Sequence, residues 1–229
     1  YLLRGTIQVQ NIGAAEVDFQ RRPELPTEPV DKDQGQEKAP GDFSLPSLLV
    51  KGIDFPHIAL GAELTGDPAV FSLTGKMDMT SLARLEGDLR LKRIDQPGLS
   101  SRLSAGYTEP DLDLDWRFQS PGPGLLETLL GRELPGPIDF HLQGRGPVKD
   151  WKAELSLVLK DRPVLAVDLN LRPGETELNL KAEGTLRPAD YLPQPYQGLV
   201  DQTGPLPFAL ELVYDRTNNL LSYTKTELS

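Results

Sequence analysis

The chain contains no cysteine and only two histidines. That removes disulfide staples, thiolate nucleophiles and Cys-based zinc sites, and it leaves hydrolytic triads poorly supplied. Aromatic residues make up 7% of the 229 residues, too few for the bulky interlocked core of a sandwich. No apolar run reaches the length of about 18 residues that reads as a membrane-spanning helix, and no signal-peptide pattern is present. The first residue is Tyr1 rather than Met, which reads as a piece of a longer protein whose targeting signals lie elsewhere. Cations are in the minority, 24 Lys and Arg against 34 Asp and Glu, for a net charge of -10. Such a balance repels nucleic-acid phosphates and exerts no pull toward anionic membranes. The surplus acids read as a solubilising outer surface.

What is present is a rhythm. Pro110 to Gln119 alternates strictly: Leu112, Leu114, Trp116 and Phe118 against Asp111, Asp113, Asp115, Arg117 and Gln119. Successive side chains of a strand point to opposite faces, so this segment has one apolar and one charged face. The same alternation places Leu155, Leu157 and Leu159 on one side of a second segment, and Leu165, Val167 and Leu169 on one side of a third. The pattern predicts strands over 2–10, 15–20, 48–54, 55–65, 69–79, 83–94, 99–108, 112–119, 138–144, 151–160, 164–171, 176–187, 206–214 and 220–227. Most are joined by short turns rich in Gly, Pro, Asp and Asn, which implies an antiparallel meander.

Four segments follow: an N-terminal β-hairpin over 1–20, a Pro-rich acidic linker or long loop over 21–46, and two β modules over 47–135 and 136–229. Residues 21–46 carry five prolines, many charges and few large apolar groups, so they bury too little to offset their ordering entropy. The first module ends where the period changes. Leu125, Leu126, Leu129 and Leu130 fall on one face of a short helix stopped by Gly131, a plug for an open end of the sheet. Gly136-Pro137-Ile138-Asp139-Phe140-His141-Leu142 is echoed by Gly204-Pro205-Leu206-Pro207-Phe208-Ala209-Leu210. Glu86-Gly87-Asp88-Leu89-Arg90 is similarly echoed by Glu183-Gly184-Thr185-Leu186-Arg187. These echoes point to stacked modules.

No motif carries chemistry. Asp111, Asp113 and Asp115 begin like a calcium loop, but Trp116 and Gly122 stand where the EF-hand needs Gly and Glu. Gly144-Arg145-Gly146-Pro147 lacks the Gly-Lys-Ser/Thr ending of a phosphate loop and reads as a turn. No Gly-x-Ser-x-Gly elbow occurs. His57 and His141 sit among apolar neighbours and read as strand residues. Trp116 and Trp151 read as packing residues. The expectation is a protein with no catalytic residues, no metal site and no cofactor.

Several phrases resemble the N-terminal and middle parts of TamB-type proteins of the AsmA-like superfamily. They are Leu45-Pro46-Ser47-Leu48-Leu49-Val50-Lys51-Gly52-Ile53, Ile58-Ala59-Leu60-Gly61-Ala62-Glu63-Leu64-Thr65-Gly66 and Leu73-Thr74-Gly75-Lys76-Met77. The fullest is a proline-led strand, a Gly-x-Gly turn and an Asp-Trp opening the next strand, here Pro137 to Gly144-Arg145-Gly146 and then Asp150-Trp151. The resemblance spans roughly 45–184. It implies a mainly β protein, a long antiparallel meander curled into a taco-like or U-shaped groove, with one or two short helices as plugs. It also implies a periplasmic location, anchored to the inner membrane through a segment outside this chain. The implied partners are phospholipid acyl chains and an Omp85-class outer-membrane barrel, the latter reached through regions outside this chain. The implied work is phospholipid carriage between inner and outer membranes and support of outer-membrane protein assembly. The groove would be lined by Leu112, Leu114, Trp116, Phe118, Leu155, Leu157, Leu159, Leu165, Val167 and Leu169. The alternative is a closed β scaffold that binds an outer-membrane protein by strand addition, without lipid.

Overall fold

The computed structural model describes residues 6–20, 47–81, 83–96, 98–122, 136–187, 204–218 and 220–228. Their strands form one open sheet of 14 strands. In chain order these are β1 (Thr6–Val9), β2 (Ile12–Gly13), β3 (Val17–Phe19), β4 (Ser47–Leu60), β5 (Ala69–Ser81), β6 (Arg84–Arg93) and β7 (Ser100–Thr108). They continue with β8 (Asp111–Ser120), β9 (Ile138–Pro147), β10 (Trp151–Leu159), β11 (Arg162–Pro173), β12 (Glu177–Leu186), β13 (Leu206–Asp215) and β14 (Leu220–Leu228). A four-residue helix, α1 (Ala62–Thr65), joins β4 to β5, and a 3-10 turn (Val148–Asp150) joins β9 to β10. From β4 to β14 every strand pairs antiparallel with the next, the meander that the short turns predict. The two-residue turn Lys160-Asp161 has φ of 50° and 61°. Two left-handed residues match the right-handed twist of a hairpin.

Two features depart from expectation. First, of the expected 1–20 hairpin, the described residues 6–20 show no hairpin pairing. β1, β2 and β3 each pair parallel with β4 at a constant offset of 41 residues, as in Thr6↔Ser47, Ile12↔Ile53 and Val17↔Ile58. They are one edge strand broken in two places. The breaks coincide with two register shifts in β4, between Val50 and Ile53 and between Phe55 and Ile58. Gly52 and Pro56 occupy those bulges, where a missing side chain or a missing N–H costs least. Parallel pairing cannot be closed by a tight turn and needs a connection of about a dozen residues or more, which explains why the 21–46 segment intervenes. Second, the expected strands 48–54 and 55–65 are a single bent strand followed by α1. The sheet itself is open, as the groove reading expects, and its ladder runs on past residue 135, because β8 and β9 pair from Asp111↔Pro147 to Ser120↔Ile138.

The Gly-Pro echo has a structural counterpart. Gly136 (φ 153°) and Gly204 (φ 66°) each lead into a ten-residue strand, β9 and β13, four strands apart. Gly66 (φ 81°) opens a third copy, with Pro68 before β5 and α1 before the glycine. Phe71, Phe140 and Phe208 follow these glycines, and register places all three on one sheet face. The second echo has no such counterpart: Gly87 lies on β6 and Gly184 on β12, at non-equivalent positions.

One face is apolar across the whole width. Ile53, Gly75, Leu89, Leu103, Trp116, Leu142, Leu155, Val167, Gly184 and Phe208 stand opposite one another in a line from β4 to β13. One residue further along, on the other face, runs Lys76, Asp88, Ser104, Asp115, Gln143, Glu154, Asp168 and Glu183. Among the described residues, extensive contacts join only sheet neighbours and the 3-10 turn with β11, so no second layer covers the apolar face. The tightest core is at one end of that face, where Ala69, Phe71 and Leu99 pack against Ile58, Leu60, Leu91 and Phe118.

Candidate functional site: the apolar sheet face

All ten predicted lining residues share this face. Leu112, Leu114, Trp116 and Phe118 stand on β8. Leu155, Leu157 and Leu159 stand on β10, where Leu155 faces Val167 and Leu157 faces Leu165 across to β11. Leu169 faces Ala153. Between β8 and β10 lies β9, whose Ile138, Phe140 and Leu142 complete the surface. Leu159 and Val167 are buried by their strand neighbours at 6% and 8% exposure, and the other leucines are half-buried. Trp116 is the most open of the ten at 39%. Its indole N–H donates to Ser101 Oγ at 3.0 Å, and its ring stands edge-on to Phe140 with centroids 4.9 Å apart. The tryptophan's polar atom is thus satisfied inside the sheet, and what it shows outward is hydrocarbon. The expected plug residues Leu125, Leu126, Leu129 and Leu130 lie outside the described residues, as does the 21–46 linker.

The Gly-x-Gly and Asp-Trp phrase has a packing role. Trp151 is buried at 7% exposure. Its ring crosses Gly144, and its N–H donates to the Leu112 carbonyl two strands away at 3.1 Å. A Cβ on Gly144 would fall 2.2 Å from Trp151 Cζ2. Asp150 accepts from Arg172 Nε at 2.7 Å and Asn170 Nδ2 at 2.8 Å, and these two bonds hold its carboxyl below the usual range.

The charged face is a paired network. Asp113 is held by Arg145, and Asp115 lies 3.2 Å from both Arg117 Nε and His141 Nε2. Two of the three carboxylates that resemble a calcium loop, Asp113 and Asp115, therefore already have cationic or imidazole partners. Among the described residues no group of three or more His, Asp or Glu could hold a metal ion. Asp88 is engaged by Arg90 at 3.1 Å and Arg102 at 3.0 Å. Desolvation pushes its pKa up, but the Arg102 hydrogen bond and the charges of Arg102 and Arg90 together bring it below the usual value. Alternation predicted that this face would be wet; cross-strand register, invisible in a single sequence, decides which charges meet.

Two depressions open on this charged side. One of about 1200 Å³ is bordered by Lys76, Asp88, Arg102, Asp113, Arg117 and Arg145 over β4–β9. One of about 670 Å³ is bordered by Glu154, Asp168, Arg172, Lys181 and Glu183. Both differ in place from the leucine-lined trough expected of the sequence. Small residues make the hollow: Ser104 and Gly106 lie between long charged side chains. Comparison with protein-family models, curated proteins and solved structures gives no match for this chain.

Proposed function

We propose that this chain is a stretch of a TamB-like bridge protein whose sheet guides phospholipid acyl chains across the periplasm between the inner and outer membranes. The observation that carries the reading is the one-sided sheet: ten strands share an apolar face that no described residue covers. An exposed apolar surface of that breadth marks a binding surface. The leucines are half-buried by each other rather than interlocked with a second layer, which suits fluid acyl chains that need burial without a fixed shape. Each methylene taken from water contributes about 0.8 kcal/mol, so a partly seated chain is already held. The line from Leu89 to Val167 crosses six strands, roughly 24 Å at the usual strand spacing. Twist in a sheet of this width favours curling into a taco-like trough around that line. The process is passive, with no bond made or broken, and support of outer-membrane protein assembly through an Omp85-class barrel falls to other parts of the protein.

Photo-crosslinking residues placed at Leu114 and Leu157 in cells are expected to label phospholipid, and those at Glu154 and Ser156 on the charged face are not. Equal labelling on both faces would overturn the reading. A second reading rests on β14, which among the described residues pairs only with β13. It presents Leu221 at 63% and Tyr223 at 75% exposure. Such an edge accepts an incoming strand, and in that reading lipid is absent from organic extracts of the purified chain.

A further inference from the structure

Three guanidinium groups line up on the charged face. Arg90 on β6 stands directly opposite Arg102 on β7, and Arg102 opposite Arg117 on β8. His141 on β9 continues the line. Like charges directly opposite one another oppose strand pairing. Two carboxylates in the next row serve all four groups: Asp88 for Arg90 and Arg102, Asp115 for Arg117 and His141. The arginine side chains remain 59%, 56% and 61% exposed. Among the described residues none of the three has a further partner, so each fork keeps unused N–H donors. Lys92 on β6 extends the same patch.

We infer that the Arg90–Arg102–Arg117 row binds a phosphate-bearing anion. Adjacent strands lie about 4.8 Å apart, which lets one tetrahedral phosphate bridge two neighbouring forks and a diphosphate span all three. Arg102 and Arg117 also border the 1200 Å³ depression, so the rest of the ligand lies over Ser104 and Gly106. The site is on the opposite face from the leucines and does not depend on their role.

The test is titration calorimetry of the whole chain with inorganic phosphate and pyrophosphate, alongside co-sedimentation with phosphatidylglycerol or phosphatidylcholine vesicles. The R102Q/R117Q variant is compared with R172Q/K181Q, which removes the same charge elsewhere on the face. Pyrophosphate is expected to bind more tightly than phosphate, and R102Q/R117Q to weaken binding by about tenfold or more. Added salt is expected to weaken it further. Sedimentation with phosphatidylglycerol alone, lost in R102Q/R117Q, assigns the phosphate to a lipid headgroup; binding of the free anions assigns it to soluble ligand. A native chain that binds neither, or an equal loss in R172Q/K181Q, overturns the site.

Discussion

Gly144 and Trp151 show how a single missing side chain sets the packing of three strands. The indole occupies the space where a Cβ would stand, 2.2 Å from Cζ2, and Ala153 Cβ lies only 2.7 Å from the same point. Neither neighbour is the far end of a flexible chain, so Gly144→Ala must displace the ring and break its hydrogen bond to Leu112. Overpacking of this kind costs about 1–3 kcal/mol. Gly106→Ala is the matched control, because its nearest new contact is Asp113 Cβ at an ordinary 3.9 Å. Urea unfolding is expected to show the loss for Gly144→Ala and little change for Gly106→Ala; equal midpoints would count against the interlock. The sequence marked Gly144 as a turn residue, but it sits inside β9, and its reason lies on the neighbouring strand, in Trp151.

Among the elements, the β5–β6 end is tied by an ion pair that alternation does not reveal. Arg93 occupies an apolar-face position opposite Phe71 and is 10% exposed at its side chain. Asp95 accepts from Arg93 Nε at 2.9 Å and from the Val70 N–H at 3.0 Å, and Arg93 also reaches the Pro68 carbonyl at 3.3 Å. The Arg93 hydrogen bond is the main reason the Asp95 pKa drops from 3.8 to about 2, with desolvation opposing it and Val70 assisting. Because the folded value lies below the unfolded one, this stabilisation is complete above about pH 4 and is lost as pH falls toward 2. With allowance for solvent screening it amounts to about 1 kcal/mol. Asp95→Asn is expected to lower the unfolding midpoint at pH 7, with the difference from native closing by pH 2; a constant difference across that range would refute the assignment. The bulges in β4 belong to the same scale. Gly52 and Pro56 are visible in sequence, but the in-phase breaks between β1, β2 and β3 follow from parallel pairing, which no local signal announces.

For the molecule as a whole, one layer of strands leaves half of its side chains facing either water or a ligand. Trp116 and Trp151, the two tryptophans, report on the same face from different depths, at 39% and 7% exposure. Phospholipid with brominated acyl chains quenches indoles by contact. On the lipid-carrying reading it is expected to quench Trp116 strongly and Trp151 weakly, and Trp116→Phe is expected to remove most of the quenchable emission. Equal quenching of both, or none, would speak against acyl chains on this face. The four-strand spacing from Gly66 to Gly136 to Gly204 makes the sheet modular, yet the ladder runs through each module boundary unbroken. Stability therefore passes from neighbour to neighbour along one dimension, as in other stacked β architectures.

The sequence by itself determined the strands from β5 to β14, their meander and the membership of each face, because a period of two is a local property and short turns dictate antiparallel neighbours. It also placed all ten leucine-face residues together, since alternation needs no partner strand to be read. Only the tertiary structure decided that the described strands form one open layer, that its first edge is parallel, and that Arg90, Arg102 and Arg117 meet in one row. Those outcomes depend on register between strands, and register is a relation between distant residues that no single strand's pattern contains.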